Sequence, residues 1–204
     1  MIQINGLTFG YAGQEHLFDR VTVALDERWK TGLIGRNGRG KTTLLKLLDG
    51  ALDGYKGSIA VPIPTVRFSV DEANGKTAFE AAARYGGEEW EIVREADLLG
   101  VADLLYRPLK SLSGGQKTRV QLAGMFAVDA FRLIDEPTDS LDLRGRAAVA
   151  RYLAGKRGFI LASHDRAFLD ACIDHVLAVT RSGVTLTAGT CSSYLNDVDA
   201  RERN

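Results

Sequence analysis

The sequence of 204 residues is poor in cysteine and proline. Its two cysteines, Cys172 and Cys191, lack the Cys-x-x-Cys spacing of a metal site and are too few for a disulfide scaffold. Four prolines are too few for a proline-rich linker. We therefore expect a chain that folds around an ordinary hydrophobic core and keeps its thiols reduced.

Long hydrophobic runs and an excess of one charge are also missing. No stretch approaches the ~18 apolar residues of a membrane span, and residues 1–5 lack the basic and then apolar pattern of a signal peptide. We therefore expect a cytoplasmic chain that serves a membrane only as a peripheral subunit. The 26 basic and 26 acidic side chains balance, which excludes a simple polyanion-binding protein but permits a local basic patch.

Glycine is in excess, with 22 copies, and several of them form a phosphate-binding pattern. Residues 35–42 match GxxxxGK[ST] between a predicted strand and a predicted helix over residues 41–50. Such a loop wraps its amides around phosphate oxygens, next to the positive end of the helix. We predict that Lys41 neutralises the β- and γ-phosphates of a nucleotide and that the Thr42 hydroxyl binds magnesium. The predicted nucleotide contacts of this loop are Gly35, Asn37, Gly38, Gly40, Lys41, Thr42 and Thr43.

A second motif lies where a predicted strand over residues 131–134 ends in Asp135 and Glu136. Downstream of a phosphate loop, we predict that Asp135 holds magnesium through water. Glu136 then accepts a proton from the attacking water or orients it. Taken alone, the two carboxylates are also typical of a polar strand end that enters a turn.

A third motif, Leu-Ser-Gly-Gly-Gln at residues 112–116, precedes a predicted helix over residues 116–127. Ser113 offers a hydroxyl, Gly114 and Gly115 expose backbone amides, and Gln116 begins the helix, so the segment predicts a second anion-binding site. On its own, a helix N-cap with a flexible lead-in is the preferred interpretation.

In this order, the motifs resemble those of the ATP-binding cassette (ABC) ATPases over nearly the whole chain. The resemblance implies an α/β fold, the P-loop NTPase ABC cassette: a mixed β core with a parallel sheet, an antiparallel β subdomain and a short α-helical insert. It implies a single ABC ATPase domain over residues 1–204. In that division, residues 1–71 and 129–204 form the nucleotide-binding core and residues 72–128 form the helical signature subdomain.

The family also implies residue roles, cofactors and a partner. Tyr11 stacks on the adenine of ATP, His164 contacts the γ-phosphate, and Glu136, His164 and Lys41 carry out hydrolysis with Mg²⁺ bound. In the family, residues 113–116 cap a nucleotide held by a second cassette, so the chain needs another copy or a different cassette. On the residues alone, Tyr11 is also typical of a strand, and His164 of a surface or core histidine.

Finer features resemble the ABC-F translation factors. Residues 112–123 look like their LSGGQxTRVxLA run, residues 163–170 like SHDRxFLD and residues 188–194 like their GNYSxY ending. Short stretches resemble the antibiotic-resistance subgroup, which protects ribosomes from drugs of the lincosamide and streptogramin type; they lie at residues 35–39, 89–91, 105–108 and 158–161.

The sequence departs from the family at three positions. Asp71 aligns near the usual Q-loop glutamine; it can approach magnesium but cannot donate an amide hydrogen bond, so we expect slow hydrolysis. Asp139 and Ser140 stand where the family motif Glu-Pro-Thr-Asn-His-Leu-Asp has asparagine and histidine. Loss of the histidine, just before the family's D-loop at Leu141 and Asp142, weakens the expectation of D-loop signalling between cassettes. The chain stops about where the charged linker of the ABC-F proteins begins. We therefore expect it to be either a first cassette of a longer protein or a natural single cassette.

Three functions remain open on the sequence. The first is the ATPase cassette of an ABC-F translation or ribosome-protection factor, with the ribosome and its RNA as partners. The second is the cytosolic ATPase subunit of a membrane transporter, with a membrane subunit as partner. The third is a nucleotide-dependent dimerisation module with poor turnover. A basic cluster is a candidate for RNA phosphate contacts, although a solvated helix face is the plainer interpretation; it comprises Arg144, Arg146, Arg151, Lys156 and Arg157.

Overall fold

The structure is a computed structural model that describes residues 1–69, 76–181 and 183–202. The strands are β1 Ile2–Phe9, β2 Phe18–Leu25, β3 Lys30–Gly35, β4 Lys56–Ala60, β5 Thr65–Arg67, β6 Phe131–Asp135, β7 Phe159–Ala162, β8 His175–Thr180 and β9 Gly183–Ala188. The helices are α1 Lys41–Leu48, α2 Ala78–Ala83, α3 Glu89–Leu98, α4 Gly114–Phe126, α5 Leu143–Ala154, α6 Arg166–Asp170 and α7 Cys191–Glu202. Asp71 lies outside the described residues, so its approach to magnesium stays a prediction.

The strands form two sheets. One has three antiparallel strands in the order β2-β1-β4, and the other has six strands in the order β5-β6-β7-β3-β8-β9. In the larger sheet every neighbouring pair is parallel except β8 and β9, which form an antiparallel hairpin. The predicted α/β class, with a parallel sheet and a separate antiparallel sheet, is confirmed.

The core divides into two clusters, one on each face of the six-stranded sheet. Strand β7 shows the reason, because successive side chains of a strand point to opposite faces. Phe159 and Leu161 belong to the cluster under α2–α6, whereas Ile160 and Ala162 belong to the cluster that contains α1 and the three-stranded sheet. A strand buried on both faces is apolar throughout, as the continuous run at residues 159–162 is.

The helical insert contains α2, α3 and α4 between β5 and β6. The Thr77 hydroxyl accepts from the Glu80 amide, and the Glu80 carboxylate accepts from the Thr77 amide, so a capping box opens α2. Helices α2 and α4 pack closely at Gly124, where a Cβ would collide with the Ala82 carbonyl. These helices lie within residues 72–128, and the division of the chain into two subdomains stays a prediction.

A buried charged group, which we call the Glu95 cluster, joins the insert to α5. Glu95 on α3 is 1% exposed and accepts hydrogen bonds from the Tyr152 hydroxyl at 2.6 Å and from the Lys156 ammonium. Burial alone raises the pKa of Glu95, but the hydrogen bonds from Lys156 and Tyr152 outweigh burial and hold this pKa below its ordinary value. Burial and the bond to Glu95 raise the pKa of Tyr152, so the phenol remains a donor.

Two helices after β7 were not predicted from the sequence. Helix α6 has only five residues, and its N-terminus is capped by Asp165, whose carboxylate accepts from the Phe168 amide at 3.0 Å. Helix α7 follows β9 and packs against α6, with Tyr194 and Leu195 against the core. Among the described residues, the helices are all too short or too polar to cross a membrane.

Candidate nucleotide-binding site

The candidate site lies at one edge of the six-stranded sheet. Strands β3, β6 and β7 are parallel neighbours, with Leu33 and Asp135 both in register with Ala162. Their carboxyl ends therefore meet at the same edge, where open α/β sheets bind ligands. A cavity of about 530 Å³ lies there. It is lined by Tyr11, Gln14, Leu17, Asn37, Gly38, Gly40, Lys41, Thr42, Thr43, Asp135, Glu136, Asp139 and His164.

The loop between β3 and α1 has the backbone that a phosphate cradle needs. Gly38 and Gly40 both have positive φ angles, 75° and 92°, which residues with a side chain rarely adopt. Gly35 has a different reason, because a Cβ there would come within 2.7 Å of the Val179 carbonyl on β8. The ammonium of Lys41 donates to the Gly35 carbonyl at 2.8 Å across the loop. The loop can thus place amides and one cation around an anion.

The two residues predicted to bind magnesium lie together. The Thr42 hydroxyl on the first turn of α1 donates to the Asp135 carboxylate at the end of β6, at 2.6 Å. Oxygen donors of this kind suit Mg²⁺. The residues present therefore fit a magnesium ion at this end of the cavity.

Glu136 and His164 form a second pair in the cavity. The Glu136 Oε2 and the His164 Nδ1 lie 2.9 Å apart, and the His164 amide donates to the same oxygen at 3.3 Å. Glu136 has a φ of 45°, a left-handed conformation that costs roughly 1–2 kcal/mol for a residue with a side chain. Its amide donates to the Ala162 carbonyl, which holds this conformation in place. The carboxylate is therefore directed into the cavity at a cost in backbone strain.

Tyr11 lies at the cavity rim and is 39% exposed. It shares a hydrogen bond of 3.1 Å with the hydroxyl of Thr43, and its ring meets Phe9 edge to face at 5.3 Å. These contacts fix the ring while one part stays open to solvent. An exposed, fixed aromatic ring can stack on a base.

Sequence reasoning missed three lining residues, Gln14, Leu17 and Asp139. Gln14 and Leu17 belong to the loop between β1 and β2, whose composition carries no signal for a ligand. Asp139 was noted only as a departure from the family motif, without a role in the site. The carboxylate adjacent to the Glu136 motif was a usable signal, and the register of β6 and β7 brings it beside His164. We call Glu136, Asp139 and His164 the cavity cluster.

The signature residues 113–116 lie elsewhere. Ser113 and Gln116 form a capping box at the start of α4, in which each side chain accepts a hydrogen bond from the other's amide, at 2.8 and 3.3 Å. In the part of the chain that the structure describes, the lining of the cavity contains none of these four residues. The helix-cap interpretation is thus observed locally, and any nucleotide contact of this segment needs a second site.

The signature segment packs on Ser140, the residue just before the D-loop. The hydroxyls of Ser140 and Thr118 share a hydrogen bond of 2.8 Å, and Thr118 is fully buried. A Cβ on Gly114 would come within 3.0 Å of the Ser140 Cβ, and one on Gly115 within 3.1 Å of the Ser140 carbonyl. The two glycines therefore serve close packing as well as amide exposure. Ser140, which stands where the family motif has histidine, therefore contacts α4 through its own hydroxyl.

Only part of the predicted basic cluster remains available to a partner. Lys156 belongs to the buried Glu95 cluster, and Arg146 pairs with Asp165 at 3.1 Å. Arg144, Arg151 and Arg157 are exposed. The cluster is thus smaller than the sequence indicates, because two of its five cations have intramolecular acidic partners.

Comparisons with known proteins agree with this geometry. The family model described as ABC transporter matches residues 18–139. Human ATP-binding cassette sub-family F member 3 is 32% identical over 205 residues, which cover 95% of this chain and 29% of the human protein. ABC transporter F family member 2 of Arabidopsis thaliana is 30% identical over 217 residues, which cover 100% of this chain and 32% of the plant protein. The chain therefore spans less than a third of the length of these relatives.

Two solved structures share the fold. A bacterial Atm1-family ABC exporter with ATP bound has a TM-score of 0.80 at 19% identity, over 96% of this chain and 39% of that chain. A metal-chelate type ABC transporter in an inward-facing conformation has a TM-score of 0.77 at 22% identity, over 92% of this chain and 82% of that chain. At these identities the likeness concerns the fold, and it confirms the predicted cassette architecture.

Proposed function

Because this chain belongs to the ABC family, whose model matches residues 18–139, we propose that it is the ATP-binding and ATP-hydrolysing cassette of an ABC-F factor. The observation that carries the proposal is one cavity with two adjacent pairs of groups. Thr42 and Asp135 form the first pair, and Glu136 and His164 form the second. The relatives named above, both of subfamily F, support this branch.

Binding in this proposal uses the loop before α1. Lys41, which now donates to the Gly35 carbonyl, turns its ammonium to the β- and γ-phosphates. The amides of the loop, including those of Gly38 and Gly40, surround phosphate oxygens. Tyr11 stacks on the adenine, and its bond to Thr43 holds the ring in place. The same phosphate-binding loop contains the other proposed nucleotide contacts, Gly35, Asn37, Thr42 and Thr43.

Hydrolysis in this proposal depends on Glu136. Its carboxylate accepts a proton from the attacking water or orients that water, and the left-handed backbone fixes its direction. The Nδ1 of His164 lies against the Oε2 of Glu136, so His164 is placed to donate to the γ-phosphate once Glu136 engages water. Thr42 and Asp135 would hold Mg²⁺, which neutralises charge that develops on the phosphate oxygens. Asp71 remains the third proposed ligand.

The proposed assembly contains a second cassette, either another copy or a different one. The signature residues Ser113, Gly114, Gly115 and Gln116 lie outside the chain's own cavity lining, at the exposed start of α4. A helix N-terminus of this kind offers amides to an anion. We infer that these residues cap a nucleotide held by the partner.

The proposed cellular role is in translation or ribosome protection in the cytoplasm. The exposed cations Arg144, Arg151 and Arg157 are the candidates on this chain for contact with ribosomal RNA. The resistance subgroup rests on the sequence stretches alone, since the names of the relatives above do not mention drugs. Co-sedimentation with ribosomes in the presence of ATP tests this role, whereas recovery with a membrane-spanning partner contradicts it and favours a transporter subunit.

The decisive test of the chemistry is Glu136→Gln. We expect hydrolysis to fall by about 10²–10⁴-fold, because the neutral carboxamide of glutamine cannot act as the base that accepts a proton from the attacking water. ATP affinity stays within about threefold, since the residue does not hold phosphate. Steady-state phosphate release and binding of a fluorescent ATP analogue measure the two effects. Asp103→Asn, an exposed carboxylate of the helical insert, is the matched control. Full turnover in Glu136→Gln would refute the role of this residue.

A further inference from the structure

The cavity cluster contains a set of metal-ligating atoms that the proposed ATPase chemistry does not use together. One ligand atom each from Glu136, Asp139 and His164 lies within 4.8 Å of the others. Two of these atoms, the Glu136 Oε2 and the His164 Nδ1, are already 2.9 Å apart. All three residues line the same cavity, so an ion from solvent can reach them.

The donors differ from those at the magnesium end of the cavity. One imidazole nitrogen with two carboxylates suits Zn²⁺ and similar divalent transition metals, whereas Mg²⁺ prefers oxygen ligands alone. Ligand atoms on one tetrahedral zinc ion are about 3.3 Å apart, which Glu136 and His164 nearly satisfy. Asp139 is exposed, so its carboxylate can close the remaining distance by a change of rotamer.

The carboxylate of Asp139 decides whether the set offers two ligands or three. Zinc binds a carboxylate, whereas a neutral amide is a poor ligand for it. Without Asp139, the side chains of His164 and Glu136 supply only two ligands. The Asp139 carboxylate adds the third, within 4.8 Å of the other two ligand atoms.

We propose that Glu136, Asp139 and His164 bind one divalent transition-metal ion, with Zn²⁺ preferred, in the nucleotide-free chain. The ion replaces the hydrogen bond between Glu136 and His164, and water fills the open coordination position. Both groups are then withdrawn from catalysis, so zinc inhibits hydrolysis. The inhibition rests on the proposed ATPase function, whereas the binding itself does not.

The binding test uses the tag-free chain without nucleotide, in excess Mg²⁺. Calorimetric titration with Zn²⁺ is expected to give one site per chain, and Co²⁺ is expected to give the visible absorption of a nitrogen- and oxygen-ligated ion. Asp139→Asn should weaken zinc binding by at least about tenfold, since even outer-shell substitutions cost 10–100-fold. His164→Ala should abolish the Co²⁺ spectrum.

A matched control is available on β8. His175 and Asp174 form another histidine–carboxylate pair, at 2.7 Å, so Asp174→Asn removes one carboxylate from a pair outside the cavity. Zinc affinity should be unchanged in this variant. Thiolate absorption in the Co²⁺ spectrum would overturn the proposal; burial raises the pKa of Cys172 to about 12, so its thiolate is not expected. Equal zinc affinity in Asp139→Asn and the unmodified chain would overturn it too, as would loss of binding in Asp174→Asn.

The inhibition test separates this proposal from the ATPase proposal. Phosphate release by the unmodified chain should fall with micromolar free zinc, and Asp139→Asn should need at least about tenfold more zinc for the same inhibition. A chain that binds zinc but never hydrolyses ATP would refute the ATPase proposal and leave the metal site standing. A chain that hydrolyses ATP and binds no zinc would refute the metal site and leave the ATPase proposal standing.

Discussion

The cavity cluster and the Glu95 cluster contain similar groups in opposite surroundings. In the cavity, the side chains of Glu136 and His164 are 28% and 65% exposed. At the junction of α3 and α5, those of Glu95 and Lys156 are 2% and 21% exposed. Water competes for the first pair, so the pair contributes little stability and remains available for chemistry. Water is excluded from Glu95, so its partners must satisfy the charge. Burial, more than residue type, separates a reactive cluster from a structural one.

The largest effect should follow from breaking the buried cluster. Glu95→Ala leaves Lys156 and Tyr152 without their acceptor, and we expect a loss of about 3 kcal/mol in the free energy of unfolding, the low end for a broken buried pair because Lys156 is partly exposed. Chemical denaturation measures the loss. Glu136→Gln is the control and should stay within about 0.5 kcal/mol. Similar losses in both variants would contradict the comparison.

A smaller effect should appear in the pH dependence of stability. The pKa of Glu95 is lowered in the folded chain from an ordinary value of 4.5. Its ionised form therefore stabilises the fold above that value, and the contribution disappears as the pH falls through the lower folded pKa. We expect Glu95→Gln to cost about 1.5 kcal/mol at pH 7 and progressively less below pH ~4.5. Denaturation of both proteins from pH 7 to pH 3 checks this, and a cost that grows on acidification would rule it out.

The smallest effect concerns the contact of Ser140 with Thr118 on α4. Ser140→Ala removes the partner of the buried Thr118 hydroxyl, and we expect a loss of about 1 kcal/mol. A double-mutant cycle with Thr118→Val should recover about 0.5–1 kcal/mol of coupling. Ser111→Ala, which removes an exposed hydroxyl that donates to the Pro108 carbonyl, is the control outside this contact. A coupling energy near zero would show that the two hydroxyls act independently.

Several elements were predictable because local chemistry specifies them. The strand, glycine loop and helix at residues 30–48 follow from alternation, from positive φ at Gly38 and Gly40 and from leucines on one helix face. The Thr-x-x-Glu spacing of Thr77 and Glu80 likewise indicates the capping box that opens α2. Helices α6 and α7 were missed, since α6 is a single turn capped by Asp165 and α7 has a weak apolar pattern. Their packing on each other and on the core supplies what local propensity lacks.

The sequence by itself determined the phosphate loop, the carboxylates after β6 and the family, because those features depend on residue type and spacing along the chain. Only the tertiary structure decided which charges are available. It paired Lys156 with the buried Glu95, paired Arg146 with Asp165, packed Ser140 on Thr118 and brought Asp139 beside His164. The physical reason is that burial and pairing depend on contacts between segments far apart in the chain, as where the parallel register of β6 and β7 brings Asp139 beside His164. That register cannot be read from the spacing of residues in either segment.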